Sequence, residues 1–159
     1  MTKQIVTLGL VAAIYVIFTL AIQPLSYGPI QFRLGELLMV LPFINKKYSY
    51  GIIVGVFIAN IASPIGVADM IIGTAHTAVM CYFVAKLKNI WLIPPLTAVI
   101  TSVMIGWLLL YVVFGIEGPL WWIMVTVGFG EFVVVAIGVI IFKIIEKKNP
   151  YFYDKLENI

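Results

Sequence analysis

Twenty-nine consecutive residues, 4–32, carry no charge. A run of that length is hard to place in a water-soluble fold, whereas about 20 apolar residues suffice to cross a bilayer core as a helix. The pattern recurs along the chain. Of its 159 residues, 63% are hydrophobic and 11% are charged, against about 25% charged in soluble domains. The sequence therefore predicts an all-α membrane protein, with residues 1–159 as a single integral membrane domain and a polar tail at about 146–159. The first segment has Lys3 and then mostly apolar or small residues without a clear cleavage site. It reads as a retained helix rather than a signal peptide.

The lysines set the topology. They fall at Lys3, at Lys46 and Lys47, at Lys86 and Lys88, and between Lys143 and Lys155. Cytoplasmic loops carry the excess of basic residues, so the sequence predicts six transmembrane helices with both termini cytoplasmic. Lysines divided among separate loops argue against a nucleic-acid surface. The predicted spans are about 5–22, 34–44, 50–62, 69–85, 91–114 and 120–145. Gln23-Pro24 and Gly28-Pro29 end the first. The second reaches only about 17 Å at the helical rise. Either it is tilted and helped by its flanks, or the 23–33 loop enters the membrane region. Irregular backbone is tolerated there only when buried in protein or lining a cavity.

Polar residues within such segments are costly and usually functional. Arg33 and Glu36 are expected at the outer end of the second span, Asn60 near the outer end of the third, and Asp69 at the start of the fourth. His76 lies about 10 Å deeper than Asp69, and Glu131 about 17 Å into the sixth span. Glu117 falls in the outer turn. All lie in the outer half or at the centre, the pattern of an outward-facing pocket rather than a path across the membrane. Each has a plainer alternative. Arg33 and Glu36 form an i,i+3 ion pair, Asp69 caps a helix, His76 is a hydrogen-bonded interior residue, and Glu117 is a solvated turn charge. Glu131 has no basic residue near it on its own helix, Lys143 being the next one along. It needs a partner on another helix, a ligand or a proton.

Tyr27, Phe32, Phe114, Trp121 and Trp122 gather near the same surface. They read either as an interfacial aromatic belt or as part of the pocket. Adjacent Trp121 and Trp122 point about 100° apart on a helix, so one can face lipid and the other the cavity. Aromatic rings beside carboxylates suit a flat, nitrogen-rich, cationic ligand. The chain has no GxxxxGK[ST] loop, no HExxH and no CxxC. ATP hydrolysis by this chain is therefore not expected, nor is an enzyme active site. One histidine and one cysteine give no metal cluster, and Cys81 reads as a packing residue. Small residues at Gly51, Gly55 and Ala59, and at Gly9 and Ala13, mark faces where helices approach closely. The first set suits internal packing, and the second suits either that or a partner protein.

Six short helices, no ATPase motif and an outward polar pocket resemble the substrate-binding S components of energy-coupling factor (ECF) vitamin transporters. QFRLGELLMVLPF (31–43), GVFIANIASPIGVADMIIGTAHT (55–77) and GFGEFVVVAIG (128–138) are similar to the QueT family, carriers of queuosine precursors. The resemblance implies a multi-pass subunit of a prokaryotic cell membrane that binds its ligand from outside. It implies partners: a membrane coupling subunit and two ATPase subunits that use ATP, with no cofactor in this chain. It implies docking on the coupling subunit through small residues of the first helix, here Gly9 and Ala13 with Ala12 beside them. Ile17 interrupts that series. It also implies a pocket closed by the 23–33 loop.

A 7-deazaguanine, such as 7-aminomethyl-7-deazaguanine or queuine, has a donor edge that one carboxylate can accept. Glu131 or Asp69 is expected in that role, Glu36 at a cationic substituent, Asn60 and His76 at the remaining acceptors, and Trp121 or Trp122 stacked on the ring. Arg33 is expected to hold Glu36 and the lid loop in place. The alternatives are an S component for another vitamin or purine-like base, a stand-alone proton-coupled carrier using Glu131, and a structural membrane scaffold.

Overall fold

Apolar periodicity and helix-ending Pro and Gly pairs divide the chain into helices joined by short turns, and the computed structural model, which describes residues 2–27 and 31–159, has that form. Its helices are α1 (Thr2–Ala21), α2 (Gln23–Ser26), α3 (Leu34–Ile44), α4 (Tyr48–Asn60), α5 (Val67–Val84), α6 (Ile90–Val113), α7 (Leu120–Lys148) and α8 (Pro150–Glu157). The described residues form no strand. Four helices, α1, α5, α6 and α7, are long and apolar enough to cross a membrane, and α3 and α4 are shorter apolar helices. The Gly28-Pro29 break and part of the expected 23–33 loop lie outside the described residues.

The helices form a ring in the order α1, α4, α5, α6, α7, α3 and back to α1. Large apolar side chains cover its outside, among them Ile5, Ile71, Tyr82 and Ile140, as expected where lipid is the solvent. Glycines bring the helices together. A Cβ at Gly51 would lie 2.7 Å from the Leu8 carbonyl, and one at Gly55 would lie 2.9 Å from Tyr15 Cβ and 3.0 Å from the Ala12 carbonyl. The Gly51, Gly55 and Ala59 face is thus used within the chain, against α1. A Cβ at Gly138 of α7 would lie 2.6 Å from the Leu37 carbonyl of α3. One at Gly128 would overlap the Ser102 hydroxyl of α6.

Three elements depart from what periodicity predicts. The first seven residues of α3, Leu34–Val40, wind as a 3₁₀ helix. At about 2.0 Å per residue for that part, and 1.5 Å for the last turn, α3 reaches about 20 Å. In α6, Ser102–Val113 winds with i to i+5 hydrogen bonds, a rare form that frequently occurs at functional sites. The polar tail carries α8. The Asn149 side chain accepts from the Phe152 N–H at 3.0 Å and Pro150 occupies the first turn, an N-terminal signal in a segment that apolar periodicity does not mark.

Candidate functional site

The polar residues expected inside the membrane come together in the interior of this ring. Arg33 precedes α3, Asn60 ends α4, and Asp69 lies in the first turn of α5, and all three are buried. Arg33 Nη2 donates to Asp69 Oδ2 at 3.0 Å, Nη1 to Asn60 Oδ1 at 3.2 Å, and Nε to the Ser26 carbonyl at 3.3 Å. The guanidinium carbon sits 5.1 Å from the Tyr27 ring centre, and the Tyr27 hydroxyl donates to the Ala59 carbonyl at 2.7 Å. The Asn60 amide donates to the Asp69 carbonyl at 3.0 Å. One arginine therefore ties α2, α4 and α5 to the start of α3.

This corrects the i,i+3 pairing of Arg33 with Glu36. Leaving the extended backbone at Arg33 for the tight 3₁₀ turn of α3 sends the two side chains to different helices. It also corrects the capping role of Asp69. Gly66, at φ +70°, holds the N-cap position of α5, and Asp69 lies three residues on. There its charge still meets the positive end of the helix. Gly73 makes room for the group, since a Cβ would lie 2.6 Å from Asn60 Nδ2 and 2.7 Å from Asp69 Oδ1.

Glu36 and Glu131 form the second part. Glu36 accepts from the Tyr15 hydroxyl of α1 at 2.5 Å. Gly35 permits this close approach, because a Cβ there would lie 2.6 Å from Thr19 Oγ1 and 2.9 Å from the Tyr15 ring. Glu131 of α7 is buried beside Thr97 and lies within Coulombic reach of Glu36. Both keep an oxygen without a hydrogen-bond partner, Glu36 Oε2 and Glu131 Oε1, as does Asp69 at Oδ1. Deeper in the ring, His76 Nε2 lies 2.8 Å from the Thr101 hydroxyl, which makes it a hydrogen-bonded interior residue.

Above this cluster lies an open cavity of about 390 Å³. Its walls include Tyr27, Gln31, Phe114, Glu117, Trp122 and Thr126. Trp122 faces the cavity. Trp121 is not among its walls, and meets Trp122 edge-on at 5.7 Å. The cavity stops short of Glu36 and Glu131. A profile of the QueT transporter family matches residues 5–147. The chain belongs to the QueT transporter family. A curated relative, the "Queuosine precursor transporter QueT" of Lactococcus lactis subsp. cremoris, is 45% identical over 80 residues, 49% of this chain and 47% of the relative. The match thus spans about half the length of that relative. No solved structure matches.

In this QueT family member the small residues of α1 divide between two faces. Gly9 and Ala13 are exposed, and a Cβ on Gly9 would meet nothing within 4 Å. Ala12 is buried against Gly55, so it faces the chain's own α4 and is not open to a partner. Sequence reasoning missed Tyr15, Thr97 and Gln31. Tyr15 is the hydroxyl donor to Glu36, and no spacing rule links residues so far apart in sequence. Gln31 is buried, lines the cavity and has φ 53°, a left-handed conformation that is strained for a side chain of this kind.

Proposed function

We propose that this chain is the substrate-binding S component of an ATP-driven ECF importer. Its cargo is a queuosine precursor, a 7-deazaguanine such as the 7-aminomethyl form or queuine. Family membership and the name of the lactococcal relative support the cargo class. The observation that carries the reading is the pair of unpartnered oxygens on Glu36 and Glu131, in an interior whose arginine is already taken by Asp69. Carboxylates in that state want hydrogen-bond donors, and a deazaguanine presents a ring N–H beside an exocyclic NH₂. Glu131 accepts that edge, Glu36 takes a cationic substituent, and Trp122 stacks on the ring as it enters from the cavity. Asn60 and Asp69 act mainly by holding Arg33. The shorter α3 and α4 complete six spans with the lysine-bearing end inside. The exposed Gly9–Ala13 face of α1 docks on the coupling subunit, whose ATPase partners supply the energy.

The test is thermal stabilisation of the purified chain by deazaguanines, guanine and common vitamins. A ligand that binds only the folded state at 100 times its Kd adds about 2.7 kcal/mol. A shift with a deazaguanine, absent in Glu131→Gln, is expected. A shift with a vitamin instead would discard the cargo. No shift with any compound, in protein shown to be folded, would discard the binding reading. The unpartnered Glu131 oxygen also suits a stand-alone proton-coupled carrier, and uptake without co-expressed ATPases would favour that reading.

A further inference from the structure

At the lysine-bearing end of the molecule, far from the carboxylates, a second cavity of about 500 Å³ lies between the start of α1 and α8. Its walls include Lys3, Gln4, Thr7, Tyr48, Lys155 and Asn158. None of its lining side chains is acidic. Lys3 and Lys155 form no ion pair among the described residues, and the Lys155 ammonium rests 4.4 Å from the Tyr151 ring centre. Tyr48 is fully buried, yet its hydroxyl has no hydrogen-bond partner. The free N–H groups of the first turn of α1 add a positive partial charge on the same side.

The cavity already draws oxygen acceptors. Lys47 Nζ and Gln4 Nε2 both donate to the main-chain carboxylate oxygen of Ile159, at 2.8 and 3.0 Å, and Asn45 Nδ2 donates to the Glu157 carbonyl at 2.8 Å. Those acceptors are thus taken, while Lys3, Lys155 and the Tyr48 hydroxyl keep none among the described residues, and a negatively charged oxygen cluster would supply it. The outer side of α8 presents Tyr151 and Phe152 to the surroundings. Exposed aromatics of this kind sit at the membrane–water interface. We propose that this cavity is a phosphate-group site: Lys3, Lys155 and the Tyr48 hydroxyl hold a phosphate at the inner membrane surface. An anionic phospholipid supplies it.

The experiment places the full chain in nanodiscs of phosphatidylcholine with or without phosphatidylglycerol and counts retained lipids by native mass spectrometry. Retention of one anionic lipid per chain is expected. Each lysine near an anionic surface contributes about fivefold, so Lys3→Gln/Lys155→Gln should weaken retention by at least about tenfold. Tyr48→Phe should weaken it while leaving the fold intact. The control is Lys86→Gln/Lys88→Gln at the same end. Equal loss in the control would show diffuse surface charge and overturn the site, as would retention indifferent to all four lysines. Inorganic phosphate is titrated in parallel. Protection by phosphate that depends on Lys3 and Lys155 but not on lipid would keep the site and reassign its source to soluble phosphate.

Discussion

Replacing Arg33 with methionine keeps most of the side-chain length and removes the cation. Asp69 is then left with its charge fully buried and no counter-ion, and Asn60 and the Ser26 carbonyl each lose a donor. Removing one partner of a buried pair costs about 3–5 kcal/mol. For a chain of this size each kcal/mol moves the midpoint by about 2–4 °C, so the melting temperature in detergent, without ligand, should fall by about 6–20 °C. Arg33→Met/Asp69→Leu leaves no stranded charge. The residual loss is the unpaired Asn60 and Ser26 groups, at about 1 kcal/mol each, so the double variant should melt above the single one. Tryptophan fluorescence melting of the wild type, both single variants and the double variant closes the cycle. A single variant within about 2 °C of wild type, or a double variant no better than the sum of the two, would refute the buried junction.

Two further contrasts separate folding from function. Gly55→Ala drives a methyl against Tyr15 and the Ala12 carbonyl and should cost about 1–3 kcal/mol as overpacking. Gly9→Leu should leave the melting temperature unchanged while abolishing co-purification with a coupling subunit, so a Gly9→Leu variant that still assembles would remove the docking role. Trp122→Ala should slow deazaguanine association measured by stopped-flow fluorescence, and Trp121→Ala should not, because of the two only Trp122 borders the cavity.

The helices and most of their limits are readable from sequence because apolar length and breaking residues act locally. The shortness of the second span is also readable, since Arg33 and Asn45 bound it. Its 3₁₀ winding is not, because that depends on α1 gripping Gly35 and on α7 crossing Leu37 at Gly138. The wide winding of α6 has no local signature either. Its start coincides with Ser102, whose hydroxyl donates to the Met124 carbonyl of α7 at 2.9 Å. Within the site, residue type marked Arg33, Glu36, Asn60, Asp69, His76 and Glu131 as unusual, since ionisable groups in apolar segments need a reason to be there. Their pairing was out of reach. Arg33 and Glu36 are neighbours in sequence, and that proximity favours the wrong partner. The right one, Asp69, is set by the turn at Gly66 and the space at Gly73. Tyr15 was invisible because a tyrosine in an apolar helix is ordinary until a carboxylate is found against it.

The interior has one arginine and three carboxylates within the ring, and the arginine is matched to one of them. The fold could have balanced the other two with a lysine on a neighbouring helix, yet the lysines lie outside the cluster. A buried acceptor without a donor costs about 1–3 kcal/mol, and Glu36 and Glu131 each keep one. Tyr15 lowers that cost for Glu36 by a single hydrogen bond, leaving its second oxygen open. On the proposed reading the missing donors come from the cargo, and the free protein is less stable than it would be with hydrophobic residues in their place. Glu131→Leu should then melt higher than wild type without ligand and show no stabilisation with it. A variant that melts lower in both conditions would mean that Glu131 holds the fold together, and the carboxylate pair would lose its claim to be the binding site.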